Sequence, residues 1–419
     1  MEEKEGTRKG FKAQSLIQTI YLCVVLLLLV GSLFLLSDLK GKLLYHYDGL
    51  NDHIYQHLKL KDYYLNGDGD GDFDRIGDGF YSQIELDALT KEKKWGIYSI
   101  FQLRTSKRSF QDQLDSFWKI KSKPSGIHVL RTIDKGVAIK YKGKVVLNGS
   151  LMIPEKSFSN NKLQAVVGSA SQLKLNGSFV KAPMNLSKLK DQFVVPEVDE
   201  EFRFRESEIN NKIITNSFKQ PTIEITLESN LIEDFQISGN VIIKSSDIIK
   251  IANTAKMNNC LIVAPRIIVE KGFKGSVQIL ASEFIKIEDD VQLDSGTTIF
   301  LKTKGDKGMV SVSKNVSING NIIVMDDVTQ DITESFSKLI LSEDVLIKGD
   351  VYCQGVSFLK GEINGYVYTA TVGTLSGSEE SLNVISDVII NEPIILNRTG
   401  LHMEEKDGES KYNVISKMF

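Results

Sequence analysis

The chain has 419 residues, too many for one ordinary compact domain and enough to build a long core. Its 51 Lys and Arg nearly balance its 54 Asp and Glu, so no overall field draws it to nucleic acid. The three cysteines, Cys23, Cys260 and Cys353, include no closely spaced pair, which excludes a structural zinc site or a redox pair of the usual spacing.

No charged residue stands between Lys12 and Asp38, and Leu16–Leu36 reads LIQTIYLCVVLLLLVGSLFLL. As a helix rising about 1.5 Å per residue, this run spans ~30 Å, the hydrocarbon thickness of a bilayer. It predicts a transmembrane helix with its extension over 15–60, after a leader over 1–14. Lys4, Arg8, Lys9 and Lys12 precede the run and only Lys40 and Lys42 closely follow it, which favours a cytoplasmic N-terminus. The expected location is the cytoplasmic (inner) membrane of a bacterium, crossed once, with the bulk periplasmic or extracellular. Helices associate in lipid through small and polar residues, so Gln18, Thr19, Gly31 and Ser32 are the expected packing positions.

The start of this helix, Lys12-Ala13-Gln14-Ser15-Leu16-Ile17-Gln18-Thr19, resembles the processing region of type IV prepilins and type II secretion pseudopilins. The resemblance implies a cut after Ala13, Gln14 as the first mature residue, and Gln18 at the position where the family carries a glutamate. Gln14 replaces the usual phenylalanine, and Gln18 lacks the carboxylate that pairs with a neighbouring subunit's amine. What is implied is therefore an atypical subunit at the tip or base of a fibre. An uncleaved single-pass anchor is the alternative reading of the same residues.

Past the membrane, Leu39, Leu43, Leu50, Ile54, Leu58 and Leu60 recur at helical spacing. His53 and His57 lie four apart near Asp52, a geometry compatible with metal ligation, although two histidines without a third strong ligand more often make a solvated face. Next comes LNGDGDGDFDRIGDGF, residues 65–80. On a calcium-loop template Asn66, Asp68 and Asp70 take positions one, three and five, with Gly71 at the turn. Asp72 and Asp74 follow as further oxygen donors. Gly77 stands where a bidentate glutamate should close the cage, with Asp78 beside it as a substitute. The same composition suits a solvated, glycine-rich turn. A bound Ca2+ is the one cofactor expectation, and its role would be to order the loop.

The runs GFYSQIELDAL and KKWGIYSIFQLRT read as two strands joined by TKEKK, with Trp95 and Phe101 in a small core. Alternating stretches continue to residue 182, giving a β-rich module over 61–182. Residues 183–220 are mixed in charge and weak in periodicity, and read as a linker or spacer helix.

From Pro221 short apolar strands arrive in quick succession. Ile249 and Ile251 are followed eighteen residues later by Ile267 and Val269, and after eighteen more by Ile285 and Ile287. Val241 with Ile243, Leu261 with Val263, and Val277 with Ile279 form a second series. Two interleaved series of this kind predict a β-solenoid over 221–400, with a β-sandwich as the alternative. The steps at Gly349, Gly361 and Gly365 resemble the coils of bactofilins, which are polymer-forming β-helix proteins. Cys260 and Cys353 are expected to face inward. Glu283, Glu288 and Asp294 do not recur at the coil spacing, so no acidic catalytic groove is predicted. Residues 401–419 read as a polar tail.

The expected fold is mainly β: an N-terminal transmembrane α-helix, a small β-rich module and a β-helix (solenoid) domain. The expected function is non-enzymatic, an atypical pseudopilin-like subunit or organiser of a pilus-like or type II secretion-like assembly. The expected partners are the membrane and other envelope subunits, with no nucleic acid. A membrane-anchored adhesin or scaffold binding polysaccharide or protein is the alternative, and a tethered carbohydrate-active enzyme the third choice.

Overall fold

The structure, a computed structural model, describes residues 4–66, 87–107, 110–122, 128–159, 162–189, 193–209, 211–304, 307–326, 337–377, 379–393, 401 and 411–418. The chain divides into two compact units, one of residues 1–61, 73–88 and 105–113, the other of 62–72, 89–104 and 114–419.

The first unit is built on a helix, Lys4–Asn66, of 63 residues. Its apolar run satisfies every interior backbone group within one segment, as a lipid-embedded chain requires. Gly31 and Gly41 lie within it, and a Cβ added at either would meet no neighbouring atom. The expected stripe past the membrane is displaced. Leu39, Leu43, Ile54 and Leu58 are exposed, and the buried residues are His53, His57 and Leu60. These stand at i, i+4 and i+7 and so share one helical face.

The second unit is mainly β, and twenty-six of the described strands belong to one hydrogen-bonded network. Nearly all its pairings are parallel, and they fall into three ladders. One runs from Ile249 through Ile267, Ile285, Val310 and Leu339 to Ser357 and Val372. Here the eighteen-residue recurrence and the hydrogen-bonded register coincide. A second ladder links Glu224, Ile242, Leu261, Gln278, Thr298 and Asn321. The third joins Gly275, Leu293, Ile318, Ile347, Ile363 and Ile390. Side chains alternate in direction along each strand, and one continuous apolar core, from Ile225 and Ile243 to Val367 and Ile390, fills the inside.

The second ladder departs by one residue from the sequence reading. Ile243 pairs with Ile262 and Ile262 with Ile279, so Leu261 points the other way, into a separate cluster. These strands are buried on both faces, and a run such as Cys260–Ala264 therefore carries no alternation to read.

The turns entering the third ladder share a device. Asp234, Gly272, Asp290, Asn315 and Asp344 all have positive φ, and each is followed by a buried apolar residue: Phe235, Phe273, Val291, Val316 or Val345. Asp and Asn tolerate the left-handed conformation better than other side chains, which is why they recur here beside glycine. At another corner backbone packs on backbone. A Cβ on Gly349 would strike the carbonyl of Gly320, and one on Gly365 the carbonyl of Gly349.

Chain order and ladder order differ. Val367 pairs with Leu130, Leu130 with Leu151, and Leu151 with Phe179. Residues 128–181, grouped in sequence with the β-rich module, thus continue the same ladders beyond residue 391. Residues 183–220 are not a free linker or a spacer helix. Arg203–Arg205 and Ile213–Asn216 are ladder strands, and Leu189 and Val198 are buried against the outward side chains of the second ladder. Burial against residues more than a hundred positions away leaves no periodic trace in a local window.

Two further boundaries change. TKEKK lies inside the strand Asp87–Trp95, and the chain reverses at Gly96–Ile97 before the strand Tyr98–Lys107. Gly96 has φ 62, which a glycine adopts without strain. The presumed polar tail contains buried Leu401 and a strand, Lys411–Met418, that pairs antiparallel with Ser116–Ser122. With Asp87–Trp95 and Tyr98–Lys107 these form a four-stranded sheet.

Candidate functional site

Among the described residues, one helix is long and apolar enough to cross a membrane. Within Ser15–Leu60 its most apolar window has a mean hydropathy of 2.8, and none of that window is buried. Of the expected packing positions, Thr19 donates its hydroxyl to the Ser15 carbonyl at 2.9 Å and Ser32 to the Leu29 carbonyl at 2.8 Å. Both hydroxyls therefore close onto their own helix and are satisfied without a partner helix. Gln18 is exposed, and the open space around Gly31 leaves a backbone patch that a second helix can approach. Gln14 and Ala13 lie on the same unbroken helix, and their side chains lie outside the described residues.

Beyond the apolar run, the two histidines converge on one hydroxyl. His57 Nδ1 lies 2.8 Å and His53 Nε2 3.2 Å from Thr105 Oγ1, with all three residues buried. Asp52 accepts from the Gln56 amide and sits on the exposed side of the helix. The expected Asp-His-His grouping is thus split, and no group of three metal-ligating side chains occurs among the described residues. Asn66 ends the helix, and Asp68, Asp70, Asp72, Asp74 and Asp78 lie outside the described residues.

On the ladders, the outward face of the second one is covered. Gln278, fully buried, accepts from the Ile97 amide at 3.0 Å and donates to the Trp95 carbonyl at 3.1 Å. The Tyr98 hydroxyl donates to the Thr297 carbonyl at 3.2 Å and accepts from Thr298 at 3.1 Å. Further along the same face, the Tyr352 hydroxyl donates to the Ser187 carbonyl, and Phe193 packs on Phe300 with ring centroids 5.2 Å apart. Buried Asp350 takes the Tyr366 amide at 2.8 Å and the Leu401 amide at 2.9 Å. Among the described residues, these stretches of the face are filled by packed side chains.

The acidic side chains of the open faces are dispersed and paired. Glu283 lies 3.8 Å from Arg266, which also binds Asp247. Glu288 accepts from Lys286 at 2.9 Å, and this bond first of all holds its carboxyl below the ordinary range. Glu343 is lowered by its hydrogen bond to Lys360 and by the charges of Lys360 and Lys314. Beside it is a cavity of about 180 Å³, lined by Ile340, Phe358, Leu375, Glu343, Lys314 and Lys360. That is below the ~300 Å³ at which small-molecule sites begin. Cys260 and Cys353 are buried in the core, where burial pushes their thiols up to about 12 and about 11. Neither is a nucleophile at neutral pH.

Sequence reasoning missed Gln278, Tyr98, Asp350 and Thr105. The one signal available was a polar residue interrupting an apolar run, as Gln278 does between Val277 and Ile279. Comparison of the chain with protein-family models, curated proteins and solved structures finds no match.

Proposed function

We propose that this chain is a non-enzymatic, single-pass envelope protein: a β-solenoid carried on a membrane helix, acting as an atypical pseudopilin-like subunit or organiser of a pilus-like or type II secretion-like assembly. One observation carries the reading. A single 63-residue helix is exposed through its apolar run and then buried at His53, His57 and Leu60, its two histidines meeting Thr105 of the same unit. A flexible tether would not need that continuity. Three parallel ladders about one apolar core support the solenoid. The dispersed, ion-paired carboxylates support a structural role. The excess of Lys and Arg before the span supports a cytoplasmic N-terminus.

Two measurements on the protein from its native host test this. It should remain in the membrane pellet after alkaline carbonate extraction, and N-terminal sequencing should begin at Gln14. Release by carbonate removes the anchored reading. An intact Met1 removes the processed-subunit reading and leaves the anchored adhesin or scaffold, which the exposed hydroxyls and ion pairs of the open ladder faces would serve.

A further inference from the structure

Three turns of the second unit meet at one place on the ladders, and each carries an exposed apolar side chain. The Asp134 amide donates to the Pro183 carbonyl at 2.8 Å, which joins the turn bearing Val137 to the one bearing Met184. The Val166 amide donates to the Tyr141 carbonyl at 2.9 Å, which brings the turn bearing Val167 beside Lys140 and Lys142. The Ile139 amide donates to the Ser157 hydroxyl at 2.9 Å, which sets Lys156 against the start of the same strand. Val167 is 94% and Met184 80% exposed, more than any other large apolar side chain among the described residues, the membrane helix included. Val137 is 49% exposed.

The same stretch is the most basic of the chain's folded part. Residues 128–188 hold ten Lys and Arg against two Asp and Glu, a net +8 in a chain whose total is −3. Both acids are engaged, Glu155 with Lys181 at 2.6 Å and Asp134 with the Gly136 amide at 2.8 Å. On the neighbouring strand Asp387 accepts from the Lys144 amide at 3.0 Å. Lys140, Lys142 and Lys156 are exposed, and among the described residues none of the three forms an ion pair. Elsewhere on the ladders lysines stand against carboxylates, as Lys286 does with Glu288 and Lys360 with Glu343. A lone exposed valine or a solvated lysine needs no partner. Here the two kinds coincide, and together they are what a lipid headgroup layer takes up: apolar side chains that reach the acyl boundary and cations that meet negative headgroups.

We propose that this part of the ladders docks on an anionic phospholipid surface, with Val137, Val167 and Met184 entering the headgroup layer and Lys140, Lys142 and Lys156 facing its negative charge. A soluble polyanion would engage the lysines and gain nothing from the apolar tips. A single-stranded nucleic acid would need aromatic platforms, and the aromatic side chains here, Tyr141, Phe158 and Phe179, are packed against the core. The contact is a second one with lipid, separate from the helix. It rests on the anchored reading only in that an anchor keeps lipid close by and raises its effective concentration. Because the lysines are exposed, docking should weaken as ionic strength rises.

The test uses the full chain, held by its helix in nanodiscs of phosphatidylcholine and sedimented with added sucrose-loaded vesicles. Vesicles of phosphatidylcholine and phosphatidylglycerol in equal parts should carry the chain down, and vesicles of phosphatidylcholine alone should not. The triple variant Lys140→Gln/Lys142→Gln/Lys156→Gln should weaken binding about a hundredfold. The double variant Val167→Ser/Met184→Ser, with every lysine in place, should weaken it about tenfold. Circular dichroism melts matching wild type establish that the variants fold. As a second measurement, a polarity-sensitive fluorophore on Val167→Cys, with the exposed Cys23 replaced by serine, should shift to the blue only with the anionic vesicles. Three results overturn the proposal: no binding to anionic vesicles, equal binding to both kinds, or a serine variant that binds as wild type does. The last would mark a site for soluble polyanions, in which the apolar tips play no part. Carbonate extraction decides the anchored reading and none of these outcomes does, so the two stand or fall separately.

Discussion

Val367 lies beside Leu130 in a parallel pair, although 236 residues separate them along the chain. The strands of 128–181 thus join the ladders through Val367–Ser376, a strand that lies far later in the chain. Long-range parallel pairing of this kind is slow, since chain entropy is lost before contacts repay it. Leu130→Ala removes a fully buried side chain at the junction and should cost about 2–5 kcal/mol. Hydrogen exchange should report where. Amides of 145–153 should lose protection while those of 257–287 keep theirs, because each ladder strand is supported by its immediate neighbours.

Within the strand Lys256–Val269, neighbouring residues should answer differently to substitution. Ile267 is fully buried in the core and stacks between Ile249 and Ile285, whereas Ile268 faces outward and is half-buried. Ile267→Ala should cost about 2–5 kcal/mol by denaturant unfolding, and Ile268→Lys less than ~1 kcal/mol. A larger loss for Ile268→Lys than for Ile267→Ala would mean that the register is misplaced by one.

These examples show what a local reading reaches. Ile249, Ile267 and Ile285 recur because one ladder stacks equal turns, and their period is visible without a fold. The recurrence fades where turns lengthen: Ile285 pairs with Val310 and Val310 with Leu339, steps that no fixed period finds. The docking of Trp95–Tyr98 on Gln278, the path of 183–202 and the stacking of 128–181 on Val367 are relations between distant segments. Their residues look like ordinary loop or strand in sequence. The displaced face at His53, His57 and Leu60 was hidden for another reason: a histidine paired to a buried hydroxyl counts as polar in any pattern of hydrophobicity, although it is packed as core.

Glu206 ties the Arg203 edge to the next turn. It accepts from the Ser229 hydroxyl at 2.7 Å and from the Glu228 and Ser229 amides at 2.9 and 2.8 Å. Burial works to raise its carboxyl, but these bonds, with Lys212, bring it below the ordinary range. Its folded pKa thus lies under its unfolded one. The stability it contributes is present above the usual carboxylate range and is lost as pH falls through the lowered value, below about pH 4. Glu206→Gln should cost on the order of 1 kcal/mol at neutral pH and flatten the acid limb of a stability profile. A profile parallel to wild type over that window would refute the assignment.

The asparagine column offers a sharper test of strand order in the ladders. Asn176 donates to Asn148 at 2.7 Å, Asn148 to Asn391 at 2.7 Å, and Asn391 to Asn364 at 2.8 Å. These bonds cross the place where chain order breaks, since Asn391 precedes Asn148 in the stack and follows it in sequence. Removing a middle member strands half-buried amides on both sides, and a shielded amide without a partner costs more than the bond itself is worth. Asn391→Ala should therefore destabilise by about 1–3 kcal/mol, and Asn176→Ala, at the open end, by less than ~1 kcal/mol. In the double variant Asn148→Ala/Asn391→Ala the two losses should fall short of additive, because the bond they share is removed only once. Strict additivity in unfolding experiments would show that the two residues do not meet, and would return 128–181 to a domain of its own.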